Sequence, residues 1–299
     1  MSDPDVVISA ETAGAREALR LPDRRALAWS RWGPDTARPV VFCTGAGMSG
    51  ALGFGLPALP ALGLQLVAID RPGLGRSSPH PTKILRTWVD DVAHLMANRG
   101  LHDGLAVGFS QGAPFALALA GAGLVDAVAI VAGQDEFRAV RHLLHPEVAA
   151  MLAGAEADPD GFERTIARDA TAEWLWSLIM AISSRQDREL YTGALGRAYR
   201  TTLQEGFSQG AAGYARDLRL VLGPWPTAPE QIPVPVDLWY GGQDTSPVHS
   251  PDLGRSLAAR FTHGRRYLLP DEGSSLLWTQ GADVLATLVR HTGVRSSAH

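Results

Sequence analysis

The chain has 299 residues, 45% hydrophobic and 19% charged, with a formal net charge of −4. This composition supplies a large apolar core in one or two domains and excludes a disordered chain or a basic nucleic-acid binder. The single Cys43 excludes an internal disulfide and a cysteine-based metal cluster.

Residues 1–20 read as a polar lead-in with an edge strand near Glu17 to Leu21. Its start, Met1 to Asp5, is acidic and lacks the basic-then-apolar pattern of a secretory signal. No apolar run is long enough to span a bilayer. The expectation is a cytoplasmic protein, a monomer or homodimer, with a small-molecule substrate and no nucleic-acid or membrane partner.

Strands are predicted at Ala26 to Gly33, Pro39 to Cys43, Leu64 to Ile69, Leu105 to Val107 and Val125 to Val131. Between them, Leu85, Trp88, Val89, Val92, Leu95 and Met96 recur at helical spacing and give one apolar face. Ala113 to Ala120 forms a second helix, with Pro114 in its first turn, where a missing N–H costs nothing. Near-continuous apolar strands alternating with helices predict an α/β fold with a mostly parallel sheet covered on both faces.

From about Gln134 to Pro233 the alternation stops. Apolar residues around Leu143 to Leu152, Trp174 to Met180 and Tyr214 to Leu222 predict three helices. The sheet resumes at Pro235 to Tyr240 and ends with a strand at Arg265 to Pro270. The organisation is therefore a core of 1–133 and 234–299, with a helical insertion at 134–233.

At the centre stands Gly108-Phe109-Ser110-Gln111-Gly112, between an apolar strand and a helix. A G-x-S-x-G run in that context makes a sharp, strained turn. It holds the serine hydroxyl above the sheet edge, beside the free N–H groups of a helix N-terminus. Thr44 to Gly50 is a Gly-rich loop after an earlier strand, and its glycines do not fit a dinucleotide-binding G-x-G-x-x-G. Asp70-Arg71-Pro72-Gly73-Leu74-Gly75-Arg76-Ser77 follows the next strand, and Gly241-Gly242-Gln243-Asp244 ends the penultimate one.

These segments, in this order, resemble the α/β-hydrolase superfamily over nearly the whole chain. The resemblance is to the serine-nucleophile esterase and prolyl iminopeptidase-like branch. It implies Ser110 as nucleophile, with Asp244 as the acid and Asp135 as the runner-up. It also implies backbone N–H groups of Ala46 and Gln111 as the oxyanion hole, and a structural role for the Asp70 to Ser78 loop. Thr44 stands where the family carries a histidine before Gly45. The insertion resembles a cap that roofs the pocket and sets substrate choice. Gly45, Met48, Phe109, Trp174, Trp176 and Met180 are the expected substrate contacts. A serine rather than an aspartate at the elbow argues against dehalogenase or epoxide-hydrolase chemistry.

The family's histidine, after the last strand, falls on Ser274. A serine hydroxyl is no base near neutral pH. His80, His142, His145 and His249 are the alternatives; His94, His102, His263, His291 and His299 read as structural or remote. Three functions stay open. One is an esterase-like hydrolase of a small apolar ester or related carbonyl compound, with the base absent at Ser274 or supplied elsewhere. Another is lyase, cyclase or isomerase chemistry in the same pocket. The third is non-catalytic binding. No cofactor or metal is expected. If the base is missing, Ser274→His should restore hydrolysis.

Overall fold

The computed structural model describes residues 14–293, so the lead-in before residue 14 and His299 lie outside the described residues. One eight-stranded sheet runs through the molecule in the order β1-β2-β4-β3-β5-β6-β7-β8. The strands are β1 (Ala15–Arg20), β2 (Ala26–Trp32), β3 (Arg38–Cys43), β4 (Leu64–Ile69), β5 (Leu105–Phe109), β6 (Ala127–Val131), β7 (Val236–Gly241) and β8 (Gly264–Leu269). Strand β2 pairs antiparallel with β1 and β4, and the remaining pairs are parallel. The central strands β4, β5, β6 and β7 are buried at every position. That pattern belongs to strands covered on both faces.

The helices are α1 (Leu59–Leu62), α2 (Leu85–Arg99), α3 (Ala113–Gly121), α4 (Pro146–Ala157), α5 (Pro159–Asp169), α6 (Ala172–Ile182), α7 (Arg185–Tyr191), α8 (Ala194–Gly206), α9 (Ala212–Leu222), α10 (Arg255–Arg260), α11 (Leu276–Thr279) and α12 (Gly281–Gly293). Helix α2 buries the predicted face, and the Trp88 indole donates to the Phe115 carbonyl of α3 at 3.2 Å. Each large apolar side chain buried in this way contributes about 1.5–3 kcal/mol.

Helices α4 to α9 all fall between β6 and β7. Three of them, α4, α6 and α9, lie near the predicted positions, although α4 starts after Leu144 rather than at Leu143. The others carry weaker signals. Helix α5 has few apolar residues, and its start is set by Asp158, whose carboxylate accepts the Gly161 N–H at 2.8 Å. Helix α7 is polar in sequence, and Ser184 caps it by accepting the Asp187 N–H at 3.1 Å.

The parallel strands bring the loops after β3, β5, β7 and β8 to one edge of the sheet. Ala46, Ser110, Asp244 and Ser274 are on those loops, at the carboxyl ends of the strands, where open α/β sheets bind their ligands.

Candidate active site

Strand β5 ends at Phe109, and Ser110 begins a short 3-10 turn that leads directly into α3. Ser110 has φ of +50°, a left-handed conformation that a non-glycine residue adopts only under constraint. Two glycines allow the turn. A Cβ on Gly112 would lie 2.0 Å from the Cys43 carbonyl oxygen, and one on Gly108 would lie 2.9 Å from Ala113 Cα. No side chain fits either gap, so β5, α3 and β3 can approach only with glycine there.

An imidazole meets the Ser110 hydroxyl. Ser110 Oγ is 2.9 Å from His249 Nε2, and His249 Nδ1 is 2.7 Å from Asp244 Oδ2. The carboxylate can only accept, so Nδ1 carries the proton and Nε2 is left to accept from the Ser110 hydroxyl. Asp244 and His249 side chains are both nearly excluded from solvent, at 1% and 8% exposure. Asp244 Oδ1 also accepts the Ser246 N–H at 2.9 Å, which turns the loop back on itself and brings His249 over its own acid. The next residue ties the loop to the sheet: the Ser250 N–H donates to Gly133 O at 3.0 Å, and its hydroxyl to Asp135 Oδ2 at 2.8 Å.

The expectation of an empty base position is thereby corrected. The imidazole on Ser110 comes from the loop after β7, five residues beyond Asp244, and not from the turn after β8. Asp135, the runner-up acid, accepts from Ser250 and from the Glu136 N–H and has no bond to an imidazole. Burial pushes its carboxyl up. His80 contacts Thr82, and His145 accepts the Glu147 N–H at the start of α4. His142 lies in a 3-10 turn before α4 and not within it. Among the described histidines, only His249 lines the cavity at Ser110. The sequence signal for it was a histidine shortly after the strand-end aspartate, across Pro247.

Ser274 also lines that cavity, but its hydroxyl points to a different partner. Both its N–H and its hydroxyl donate to Asp187 Oδ2 of α7, at 3.0 and 3.1 Å. Ser275 does the same to Oδ1, at 2.9 and 2.5 Å, and the Ser184 hydroxyl adds a further donor at 2.8 Å. Burial alone would raise the Asp187 carboxyl, yet these donors hold it below the ordinary carboxylate range. The turn where the resemblance puts a histidine thus serves as an anchor for α7.

The Gly-rich loop after β3 is fixed from beneath. Arg71, fully buried, donates Nη1 to Thr44 O at 2.5 Å and Nη2 to Gly45 O at 2.9 Å. Its Nε donates to Asp217 of α9 at 2.7 Å, and Lys83 pairs with the same carboxylate at 2.5 Å. Asp70 accepts the Gly50 and Arg76 N–H groups at 2.6 and 2.9 Å, which locks the two Gly-rich loops together. Ala46 follows directly after the two clamped carbonyls. Gln111 sits in the first turn of a helix, where N–H groups have no intrahelical partner. Both residues line the cavity.

The cavity holds about 250 Å³, and each of the helices α4 to α9 contributes residues to its lining. Its wall is mainly aromatic and aliphatic and, among the described residues, contains no Asp, Glu, Lys or Arg. Burial pushes the hydroxyls of Tyr191, Tyr199 and Tyr214 up, so they stay neutral. A larger groove of about 380 Å³ between the start of α2 and helices α4 and α9 includes none of Ser110, His249 and Asp244. Size alone therefore does not mark the site.

Of the expected substrate contacts, Phe109 and Trp174 line the cavity, whereas Gly45, Met48, Trp176 and Met180 do not. The reason is helical phase. Trp174, Leu175, Leu178, Ile179 and Ile182 share the cavity face of α6, and positions two residues off that series turn away. Trp176 packs instead against Tyr191 and Tyr199, with centroids 5.7 and 6.0 Å apart. Met48 is fully buried, and its carbonyl accepts the Thr44 hydroxyl at 2.9 Å.

A family model described as the alpha/beta hydrolase fold matches residues 38–280, and the chain belongs to that family. A hydrolase from Pseudomonas aeruginosa PA01 superposes with a TM-score of 0.71 at 18% identity, covering 93% of this chain and 98% of its own. An enol-lactonase from Burkholderia xenovorans LB400 gives 0.66 at 20% identity, over 93% and 100% of the two chains. A putative non-heme bromoperoxidase from Mycobacterium tuberculosis H37Rv gives 0.65 at 22% identity, over 90% and 96%. At these identities the likeness is one of fold. No curated protein matches the sequence. No helix among the described residues is long and apolar enough to cross a membrane.

Proposed function

We propose that the protein is a serine hydrolase acting on a small, largely apolar, uncharged ester or related carbonyl compound. Ser110 is the nucleophile, His249 the general base and then acid, and Asp244 the group that orients the imidazole. The observation that carries this reading is the continuous chain from Ser110 Oγ to His249 Nε2 at 2.9 Å and from His249 Nδ1 to Asp244 Oδ2 at 2.7 Å.

In the first half-reaction His249 takes the Ser110 proton as Oγ attacks the carbonyl carbon. Negative charge builds on the carbonyl oxygen, and the Ala46 and Gln111 N–H groups stabilise it. The imidazolium then protonates the leaving alcohol. Water repeats the sequence on the acyl-enzyme. Helices between β6 and β7 act as a cap over the acyl group. The uncharged wall supports a neutral substrate, because a buried charge without a partner would be costly there.

Hydrolysis of p-nitrophenyl butyrate, together with labelling by a fluorophosphonate, tests the reading. One label per chain at Ser110, lost in Ser110→Ala, is the expected result. Turnover that persists in Ser110→Ala would return the site to lyase-like chemistry, and an inert, unlabelled Ser110 would return it to binding.

A further inference from the structure

Gln111 is 4% exposed and is one of the residues that line the Ser110 cavity. Its Oε1 is buried without a hydrogen-bond partner. Gln134 makes a useful contrast. It is equally buried and on the same wall, yet its Nε2 donates to the Val221 carbonyl at 3.3 Å. Ser246 Oγ is a second buried, unpartnered oxygen on that wall. Buried polar atoms in folded proteins are almost always satisfied, so a carboxamide oxygen left unpaired beside a nucleophile asks for a ligand. None of the side chains around the cavity is bonded to that oxygen.

We infer that the Gln111 carboxamide is a specificity-determining group that accepts a hydrogen bond from a hydroxyl or amide N–H on the acyl part of the substrate. The inference rests on the hydrolase reading above. The acyl part is assigned on position. Gln111 is next to the nucleophile and deeply buried, whereas the leaving alcohol must depart toward solvent. Trp174 and Leu178, 42% and 36% exposed, mark the open side of the cavity. The acyl group stays on Ser110 through both half-reactions, so a contact there acts on each. A site built to pair a polar group discriminates strongly against the analogue that lacks it, because its own buried group is then left unsatisfied.

The test uses the full chain and p-nitrophenyl esters that differ only in the acyl group: butyrate, 3-hydroxybutyrate, 3-methoxybutyrate and N-acetylglycinate. The expected kcat/KM for one of the two donor-bearing esters exceeds that of butyrate by on the order of tenfold or more. The 3-methoxy ester keeps the oxygen and loses the donor, so it should fall back toward butyrate if the hydroxyl is the group recognised. In Gln111→Met, similar in length and without hydrogen bonds, the donor preference should collapse toward one. The identity of the favoured ester separates a hydroxyacyl from an amidoacyl substrate. A wild-type enzyme that labels at Ser110 but treats all four esters alike would overturn the inference and leave the hydrolase reading standing. So would a preference that survives in Gln111→Met, or a 3-methoxy ester as good as a favoured 3-hydroxy one. An absent label would remove the hydrolase reading, and this inference with it. The wild-type comparison stands even if Gln111→Met does not fold.

Discussion

His249 Nδ1 lies 2.7 Å from Asp244 Oδ2, although the two residues are only five apart on a single loop. Carboxylate and imidazole therefore arrive together, on one segment whose shape is set by the Ser246 N–H on Asp244 and by the Ser250 tether to Gly133 and Asp135.

His249→Ala should lower ester kcat by roughly 10³- to 10⁶-fold, the range for removing one member of such a relay. Steady-state kinetics with p-nitrophenyl butyrate measures it, with circular dichroism as the check on folding. A loss below tenfold would remove His249 from the base role.

Ser274→His should add no activity. His249 already stands at the Ser110 hydroxyl, and Ser274 is packed beneath Asp187 with 6% of its surface exposed. An imidazole there would displace the α7 anchor, so a lower Tm without a gain in turnover is expected. Activity in Ser274→His with His249→Ala, but not in His249→Ala alone, would contradict this.

Asp187→Asn should destabilise the protein by about 1–3 kcal/mol, since it weakens several buried hydrogen bonds at once. The pH dependence has a definite sign. The folded carboxyl is held below its ordinary value. Its contribution is complete above the unfolded value, near 4, and is lost as pH falls through the lower folded value. The Tm gap between wild type and Asp187→Asn should be widest at neutral pH and narrow below about pH 4. A gap that widens in acid would contradict this account.

Arg71→Met should cost roughly 3–5 kcal/mol, because it breaks a fully buried ion pair with Asp217 and removes the donors to Thr44 and Gly45. The same change frees the segment before Ala46, so kcat should fall as well. Urea denaturation and ester kinetics read the two effects separately. An unchanged kcat in a destabilised Arg71→Met protein would show that Arg71 supports the fold without positioning the loop.

Ile179→Trp fills part of the cavity from α6. Octanoyl esters should lose at least about tenfold in kcat/KM while acetyl esters lose far less, because overfilling a packed space excludes the longer chain first. Equal losses for both would show that the acyl chain lies elsewhere.

The amino-acid sequence by itself determined the sheet and the sharp turn that carries Ser110. Apolar runs such as Leu64 to Ile69 are buried at every position, and a strand covered on both faces carries that signal locally. Gly108, Ser110 and Gly112 are equally local, because the crowding that demands glycine acts between neighbours in the turn. Asp244 was legible for the same reason, as the residue that closes a strand-end turn. Helices α5, α7 and α8 were not legible, since polar helices are held mainly by what they pack against. Which imidazole stands at Ser110 was decided only in three dimensions. Nothing in the string Asp244 to Ser250 states that the loop curls back over its own carboxylate. That depends on hydrogen bonds to Gly133 and Asp135, more than a hundred residues earlier. The fate of Ser274 is likewise tertiary, because its partner Asp187 comes from a helix 87 positions away.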